Sequence, residues 1–329
     1  MAELGAKDGQ AGSGPGEAEE ETVGQAGTQV RSSQQRWALL KAAILRAQRQ
    51  AKGGSTTEAT AASAPGVEGS VRSIASYGLV HQLDSAPATD KAAGHADDGD
   101  FVLLKSQHFP WEQRVFLLRP VVSLEAMMGF NNTGNVCIWP AEELLCHVVL
   151  AHPELVAGKS VLELGGGMAP IAGLACLHAG AASVLVTDGN PRSVQAMRRT
   201  MSQLPSSEQK RLQAQVLDWT DAAAVDQLQA TADVVLAADC LFFTQVHDSL
   251  ARLMASVLRP QGFVLSSAPD RNGTRVQFLA VARGAGLAVV EDCPNLLDAA
   301  AQEQLLQTKK QPLFNASLHL AHLDRLAFA

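Results

Sequence analysis

From Ser160 to about residue 292 the chain repeats one device: a short apolar run, a longer stretch with helical spacing, then another apolar run. The runs are SVLEL, SVLVT, LQAQVLD, ADVVLAA, GFVLSSA and LAVVED, and helical patterns begin near Met168, Pro191, Asp221, Gln245 and Thr274. Four of the first five runs are almost continuously apolar, which is the pattern of parallel strands covered on both faces. A last run, ASLHLAHL, follows a long loop over about 294–314 and alternates in polarity, which suits an antiparallel member of the same sheet. Strand–helix alternation of this kind predicts an α/β fold with a doubly wound, Rossmann-like sheet of seven strands. The hydrophobic content of 47% is ample for such a core.

The region before Ser160 is organised differently. Residues 1–35 are rich in Gly, Ala, Glu and Ser without periodicity and are expected to be a disordered tail. Over 36–52, Trp37, Leu40, Ile44 and Ala51 fall on one helical face, among Arg36, Lys41, Arg46, Arg49 and Lys52 and no acid. That spacing predicts a basic amphipathic helix, ended by Gly53-Gly54. Residues 53–100 read as a mostly disordered linker with a short ordered piece near 71–80. From 101 to 152 the sequence predicts a β-hairpin around Phe109-Pro110, a short helix over about 121–129, and a helix over Trp139–His152 with Leu144, Leu145 and Val148 on its apolar face. Pro140 suits the first turn of that helix, where a missing N–H costs nothing. The core domain is then 153–329.

A formal charge of −7 with 18% charged residues argues against bulk attraction to nucleic acid or an anionic membrane. The five cysteines show no CxxC spacing and all lie in apolar segments, so neither a disulfide framework nor a zinc site is expected. The first residues carry acids and no apolar core, unlike a secretory or transit peptide. The expectation is a monomeric protein of the cytoplasm, with the nucleus as a second compartment, and without nucleic-acid or membrane partners.

Four stretches carry chemistry. In VLELGGGMAP, Gly165, Gly166 and Gly167 stand where a buried strand turns into a helix, so backbone can approach a ligand closely. The last Gly of a dinucleotide fingerprint is replaced by Pro170, and no GK[ST] follows, so neither a dinucleotide nor a P-loop site fits. What remains is an acid, Glu163, ahead of the Gly run. An acid there repels pyrophosphate and suits a cationic, hydroxyl-rich ligand such as S-adenosylmethionine; the alternative is a Gly turn for tight helix–strand packing. Asp188 ends the next strand, about 20 residues past Gly167, the distance at which an acid reaches ribose hydroxyls. Asp218 and Trp219 end the third strand, where an adenine would lie, although the same pair also suits a helix N-cap and a core indole. Asp239, in AADCLFF, ends the fourth strand beside the switch point of the sheet, where a carboxylate can orient a substrate amine or simply cap a helix. Cys240 is a poor nucleophile, since no His lies near it in sequence.

The strings FNNTGNVCIWPAEELL, LELGGGM, LVTDGN and AADCLFF, in this order and at these separations, resemble the protein-lysine methyltransferases of methyltransferase family 16. Within that family the likeness is to enzymes acting on calmodulin, and it spans about 100–329, with a further match over RWALLKAAILRAQ. The resemblance implies S-adenosylmethionine as cofactor and calmodulin as protein substrate. It places Glu163, Gly165 and Gly167 at the methionine end, Asp188 at the ribose, and Asp218 with Trp219 at the adenine edge, with Ala238 as a further cofactor-binding residue. It also makes Trp139 a cover over the cofactor, and Asp239 with Phe242 the lysine channel. Two departures stand out: Ala169 takes the place of the usual third small residue, and Phe242 stands where sister enzymes often carry Tyr. Calmodulin is acidic, so its docking would rely on local basic surface such as the 36–52 segment. A lysine of another protein (an elongation factor or chaperone), a small-molecule acceptor, or a non-catalytic cofactor-binding scaffold are the other readings.

Overall fold

The structure is a computed structural model and describes residues 76–83, 98–119, 130–135, 137–310 and 320–328. The expected tail over 1–35, the helix over 36–52, most of the 53–100 linker and the short helix near 121–129 lie outside the described residues.

The core is a sheet of seven strands: β4 (Ser160–Leu164), β5 (Ser183–Asp188), β6 (Leu212–Val216), β7 (Ala232–Ala238), β8 (Leu258–Pro269), β9 (Leu287–Val290) and β10 (Ala321–Phe328). Their order is β6-β5-β4-β7-β8-β10-β9, with β4 parallel to β5 and β7, and β10 antiparallel to β8 and β9. Connections leave in opposite directions on either side of the β4–β7 pair, so a crevice opens at the carboxyl ends of these two strands. Helices cover both faces. They are α1 (Pro140–Ala151), α2 (Ile171–His178), α3 (Pro191–Met201), the short α4 (Ser206–Gln209) and α5 (Ala222–Asp226), then α6 (His247–Val257), α7 (Thr274–Gly284) and α8 (Ala299–Lys309). Two apolar clusters fill the sandwich, one around Val161, Val186 and Leu265 and the other around Leu162, Val235 and Leu250. Among the described residues no helix is long and apolar enough to cross a membrane.

Ahead of the core lies a three-stranded antiparallel sheet of β1 (Val80–Leu83), β2 (Gly99–Ser106) and β3 (Glu112–Leu118). The hairpin is as expected; the third strand meets the ordered piece expected near 71–80 only at Val80 and otherwise lies in the stretch read as linker, while residues 71–75 lie outside the described residues. This small sheet sits on α3, where the Phe116 N–H donates to Thr200 Oγ1 at 2.9 Å and Arg199 covers the Phe116 ring.

Two expectations need correction. The loop over 294–314 contains α8, which Asp298 starts by accepting the Ala301 N–H at 2.8 Å; a run of Ala, Gln, Glu and Leu then continues it. Its buried residues are Ala301, Leu305 and Thr308, spaced as one narrow helical face that packs on Tyr77, Leu79 and Leu144. Of the last strand expected over 316–323, residues 316–319 lie outside the described residues, and the strand described runs over Ala321–Phe328, five residues past the expected end. Asp324 and Arg325 look like strand-ending charges, yet Asp324 is fully buried in mid-strand. Arg275 of α7 binds both its oxygens, and the Asp292 N–H adds a bond at 3.1 Å, so the charge is tolerated.

Candidate active site

The Gly-rich turn after β4 is fixed by backbone bonds on both sides. The Gly166 N–H donates to Thr187 O at 3.0 Å, and the Met168 N–H to Gly134 O at 3.0 Å. Gly134 and Gly167 lie back to back: a Cβ on Gly134 would stand 2.7 Å from the Gly167 Cα, and one on Gly167 2.7 Å from the Gly134 carbonyl oxygen. The Asn/Thr/Gly turn over 131–135 is therefore clasped onto the Gly loop, and Trp139 follows from it, its indole N–H on Thr133 O at 3.3 Å. Gly165 lies in the left-handed region at φ 68°, where a Cβ would meet Cys240 Sγ at 2.9 Å and the Trp219 ring at 3.2 Å.

One cleft at the carboxyl ends of β4, β5 and β7 brings together Trp139, Gly165, Asp188, Trp219, Ala238, Asp239 and Phe242. Thr133, Gly134, Gly189, Leu217 and Cys240 complete its wall and were not among the residues singled out as ligands from sequence. Gly134 and Gly189 sit beside flagged residues in turn-forming strings, whereas Leu217 is an ordinary apolar strand residue with no signal of its own.

Asp188 is 7% exposed and accepts two backbone N–H groups, from Asn190 on Oδ1 at 2.7 Å and from Gly167 on Oδ2 at 3.0 Å. Burial raises its pKa to about 6 against those bonds, which favour the anion. A carboxylate has about four lone-pair sites, so the two amides and the Ser193 hydroxyl leave Asp188 acceptor capacity. Paired hydroxyls suit it. Trp219 contributes an apolar ring beside Gly165, and the close approach at that glycine leaves bare backbone. This set fits a nucleoside carrying a positive charge and no phosphate.

Asp239 stands at φ 54°, which ends β7 and turns its carboxylate into the cleft. It is 6% exposed and holds the guanidinium of Arg271 through both oxygens, with Nη2–Oδ2 at 2.7 Å and Nη1 on Oδ1. The guanidinium carbon lies 5.8 Å from the Trp139 ring centre and 5.6 Å from that of Phe242. Nothing in the sequence pointed to Arg271, a single base in an unpatterned loop.

The structure does not bring Glu163, Gly167 or Asp218 to the cleft wall. Gly167 serves the clasp instead. Asp218 is exposed, and its Oδ1 accepts the Thr220 N–H at 2.9 Å and hydroxyl at 2.7 Å, while Asp221 caps α5. Trp219 beside it is both a core indole and part of the cleft. Glu163 is 1% exposed and faces away beneath α2, whose N-terminus begins at Pro170 without a capping side chain of its own. Glu163 Oε2 accepts the Gly173 N–H at 2.8 Å, and Glu142 from α1 accepts the Ala172 N–H at 2.8 Å. Two carboxyls from other elements thus satisfy orphan amides of α2. Glu163 Oε1 is buried without an N–H partner, and a proton held between this carboxyl and that of Glu142 would satisfy it.

Burial pushes the pKa of Glu142 up to about 7, and burial with the neighbouring Glu142 charge lifts Glu163 well above the glutamate range. In the unfolded chain both titrate near ~4.3. Between that value and about 7 the folded state keeps a proton that the unfolded state has lost, so this pair makes stability fall as pH rises through about 7. Glu163→Gln supplies the bridging hydrogen permanently and keeps an acceptor for Gly173. The variant is expected to melt higher than the parent at alkaline pH, by about 2–4 °C per kcal/mol relieved, and to show a flatter pH dependence above neutrality. Melting curves across that range check this; a variant that loses stability equally at every pH would show that the carboxylate itself is required.

A family model described as lysine methyltransferase matches residues 123–284. Calmodulin-lysine N-methyltransferase of Arabidopsis thaliana is 30% identical over 268 residues, covering 79% of this chain and 84% of that one. This chain belongs to the lysine methyltransferase family. S-adenosylmethionine is its cofactor and a protein its substrate. Solved structures similar to it include a TehB-like S-adenosylmethionine-dependent methyltransferase from Corynebacterium glutamicum (15% identity, 56% of this chain and 88% of that one, TM-score 0.39). Another is an S-adenosylmethionine-dependent methyltransferase from Mesorhizobium loti (16% identity, 55% and 98%, TM-score 0.38).

Proposed function

We propose that this lysine methyltransferase transfers methyl groups from S-adenosylmethionine to a lysine of calmodulin. The observation that carries the substrate is the 30% identity to the Arabidopsis enzyme across 84% of its length. When bound, the cofactor supplies a methyl on a sulfonium, already a good leaving group. The protein's own contribution is therefore positioning and exclusion of water.

Asp188 would hold the ribose hydroxyls, with Gly165 giving close backbone approach and Trp219 and Ala238 flanking the base. Trp139, tethered to Thr133 O, would cover the cleft from the α1 side. Asp239 would orient the lysine amine between Trp139 and Phe242. A lysine ammonium, with its ordinary pKa of ~10.4, must lose a proton before it attacks. A dry recess favours the neutral amine, while a carboxylate alone favours the ammonium. Asp239 is accordingly assigned the orienting role, and Phe242, which has no hydroxyl, the role of an apolar wall. Cys240 stays a thiol: burial raises its pKa, and its Sγ–H donates to Leu164 O at 3.3 Å.

The decisive experiment is transfer of labelled methyl from S-adenosylmethionine to purified calmodulin, followed by mapping of the label. Label on a calmodulin lysine is expected. Label on other proteins of an extract and none on calmodulin would keep the reaction and overturn the substrate; none anywhere despite cofactor binding would favour a scaffold.

A further inference from the structure

We propose that Arg271 is a resident occupant of the substrate-amine site, and that a lysine enters by displacing its guanidinium from Asp239. The proposal rests on the reading of Asp239, Trp139 and Phe242 as the lysine channel.

The geometry argues for it directly. Asp239 presents both oxygens to Arg271, and the guanidinium lies within 6 Å of the Trp139 and Phe242 ring centres, the range of cation–π attraction. A carboxylate beside two aromatic rings is a recess built for an organic cation, and the protein's own arginine fills it. The rings and carboxylate that would receive an ammonium are the ones the guanidinium now engages, so the two cations exclude each other.

The site is also built for exchange. Arg271 lies in the link between β8 and α7, and its side chain is 19% exposed, against 5% for Asp239. The backbone of the link is fixed: the Arg271 N–H donates to Pro269 O at 3.1 Å, and Asp270 Oδ1 takes the Arg275 N–H at 3.0 Å. Asn272 at φ 62° and Gly273 at φ 79° complete a tight left-handed turn into α7. Release therefore needs rotation of a long side chain toward water, not opening of the loop. On entry of the ammonium, Asp239 exchanges one cationic partner for another, which avoids a buried, unpaired charge at the binding step, the state that would cost most.

Such an occupant sets specificity. A neutral side chain gains nothing at Asp239 to offset the lost bidentate pair, whereas an ammonium does. The apparent affinity for the amine is its intrinsic affinity reduced by the fraction of molecules with Arg271 swung out.

The test uses n-butylammonium as a lysine-head probe, titrated by ligand-observed NMR against the wild-type protein, Arg271→Met and Arg271→Met/Asp239→Asn. Arg271→Met is expected to bind the probe about tenfold more tightly than wild type, and the double variant to lose that gain. Arg271→Lys, which keeps the charge but loses the fork, should fall between wild type and Arg271→Met, and it serves if the Met variant folds poorly. Equal affinity in wild type and both single variants would overturn the proposal. In methyl transfer the gain should appear as a lower KM for the protein substrate; a raised KM would instead make Arg271 a contact for substrate and also overturn it. If wild type methylates no lysine at all, the functional reading fails, and the titration still decides whether Arg271 occupies a cation site.

Discussion

Asp188→Ala is expected to weaken S-adenosylmethionine binding by at least about 100-fold. Hydrogen bonds to a charged partner are worth roughly 1.5–3 kcal/mol each, and a ribose offers two hydroxyls to this carboxylate. The substitution also frees the Asn190 and Gly167 amides, which Asp188 ties together at 2.7 and 3.0 Å, so the Gly loop keeps the Gly166 bond to Thr187 O but loses its side-chain tie to β5. Asp188→Asn separates the two effects. It keeps the shape and one acceptor oxygen while removing the charge, and should bind with intermediate affinity. The pH response gives an independent check. Burial holds the Asp188 pKa at about 6, and only the anion is a full acceptor, so wild-type affinity should fall as pH drops through that value. The Asn variant should lack that titration. Calorimetric titration with S-adenosylmethionine and S-adenosylhomocysteine measures both effects; affinity of Asp188→Ala within threefold of wild type would remove the ribose role.

Sequence reading located the sheet well because its information is local. Buried parallel strands such as SVLEL and ADVVLAA announce themselves by apolar composition, and Pro191 and Asp221 mark the starts of the helices after β5 and β6 in the expected places. The two corrected elements both depended on distant partners. Strand β10 carries a mid-strand Asp324 that is tolerable only because Arg275, 49 residues earlier in the chain, reaches it. Helix α8 shows too narrow an apolar face to stand out until Tyr77 and Leu79 supply its other side.

The candidate site divides along the same line. Strand-end residues whose side chains follow the sheet's carboxyl edge, Asp188 and Asp239, fall in the cleft, because topology alone aims them there. Glu163 also ends a strand, but its side chain lies one position before the exit and faces α2, where unsatisfied amides and Glu142 draw it in. A motif marks that an acid is needed at such a position without saying which face it serves. Asp218 illustrates the converse: its neighbour Trp219 turns inward, and so Asp218 is left outside, closing a local turn with Thr220. Arg271 is invisible to any local reading, since its importance comes from a bidentate contact with Asp239 across 32 residues of chain.

Asp239→Asn is expected to lower kcat/KM for lysine methylation by about 100- to 1,000-fold, an effect of roughly 3–4 kcal/mol. Asn is the substitution to make, because position 239 sits at φ 54°, and Asn accepts the left-handed region far more readily than Ala. The variant therefore keeps the turn out of β7 and the Asp239 N–H bond to Ser267 O at 2.7 Å, and what it loses is charge. Two consequences follow from that one change. Among the described residues, Asp239 and Asp188 are the carboxylates on the cleft wall, so the amine loses its carboxylate partner, and Arg271 is released from its pair, leaving a cation that competes with lysine between Trp139 and Phe242. The loss should be smaller in the background of Arg271→Met, where no displaced guanidinium remains to repel the ammonium, so the two substitutions are expected to be non-additive. Steady-state kinetics of the single and double variants, with cofactor affinity measured alongside, separates the causes. A fall confined to kcat/KM for the protein substrate places Asp239 at the amine. A parallel collapse of cofactor affinity would assign it to the nucleoside instead, and retention of near-wild-type turnover would mean that the positioning of lysine comes from the aromatic walls alone.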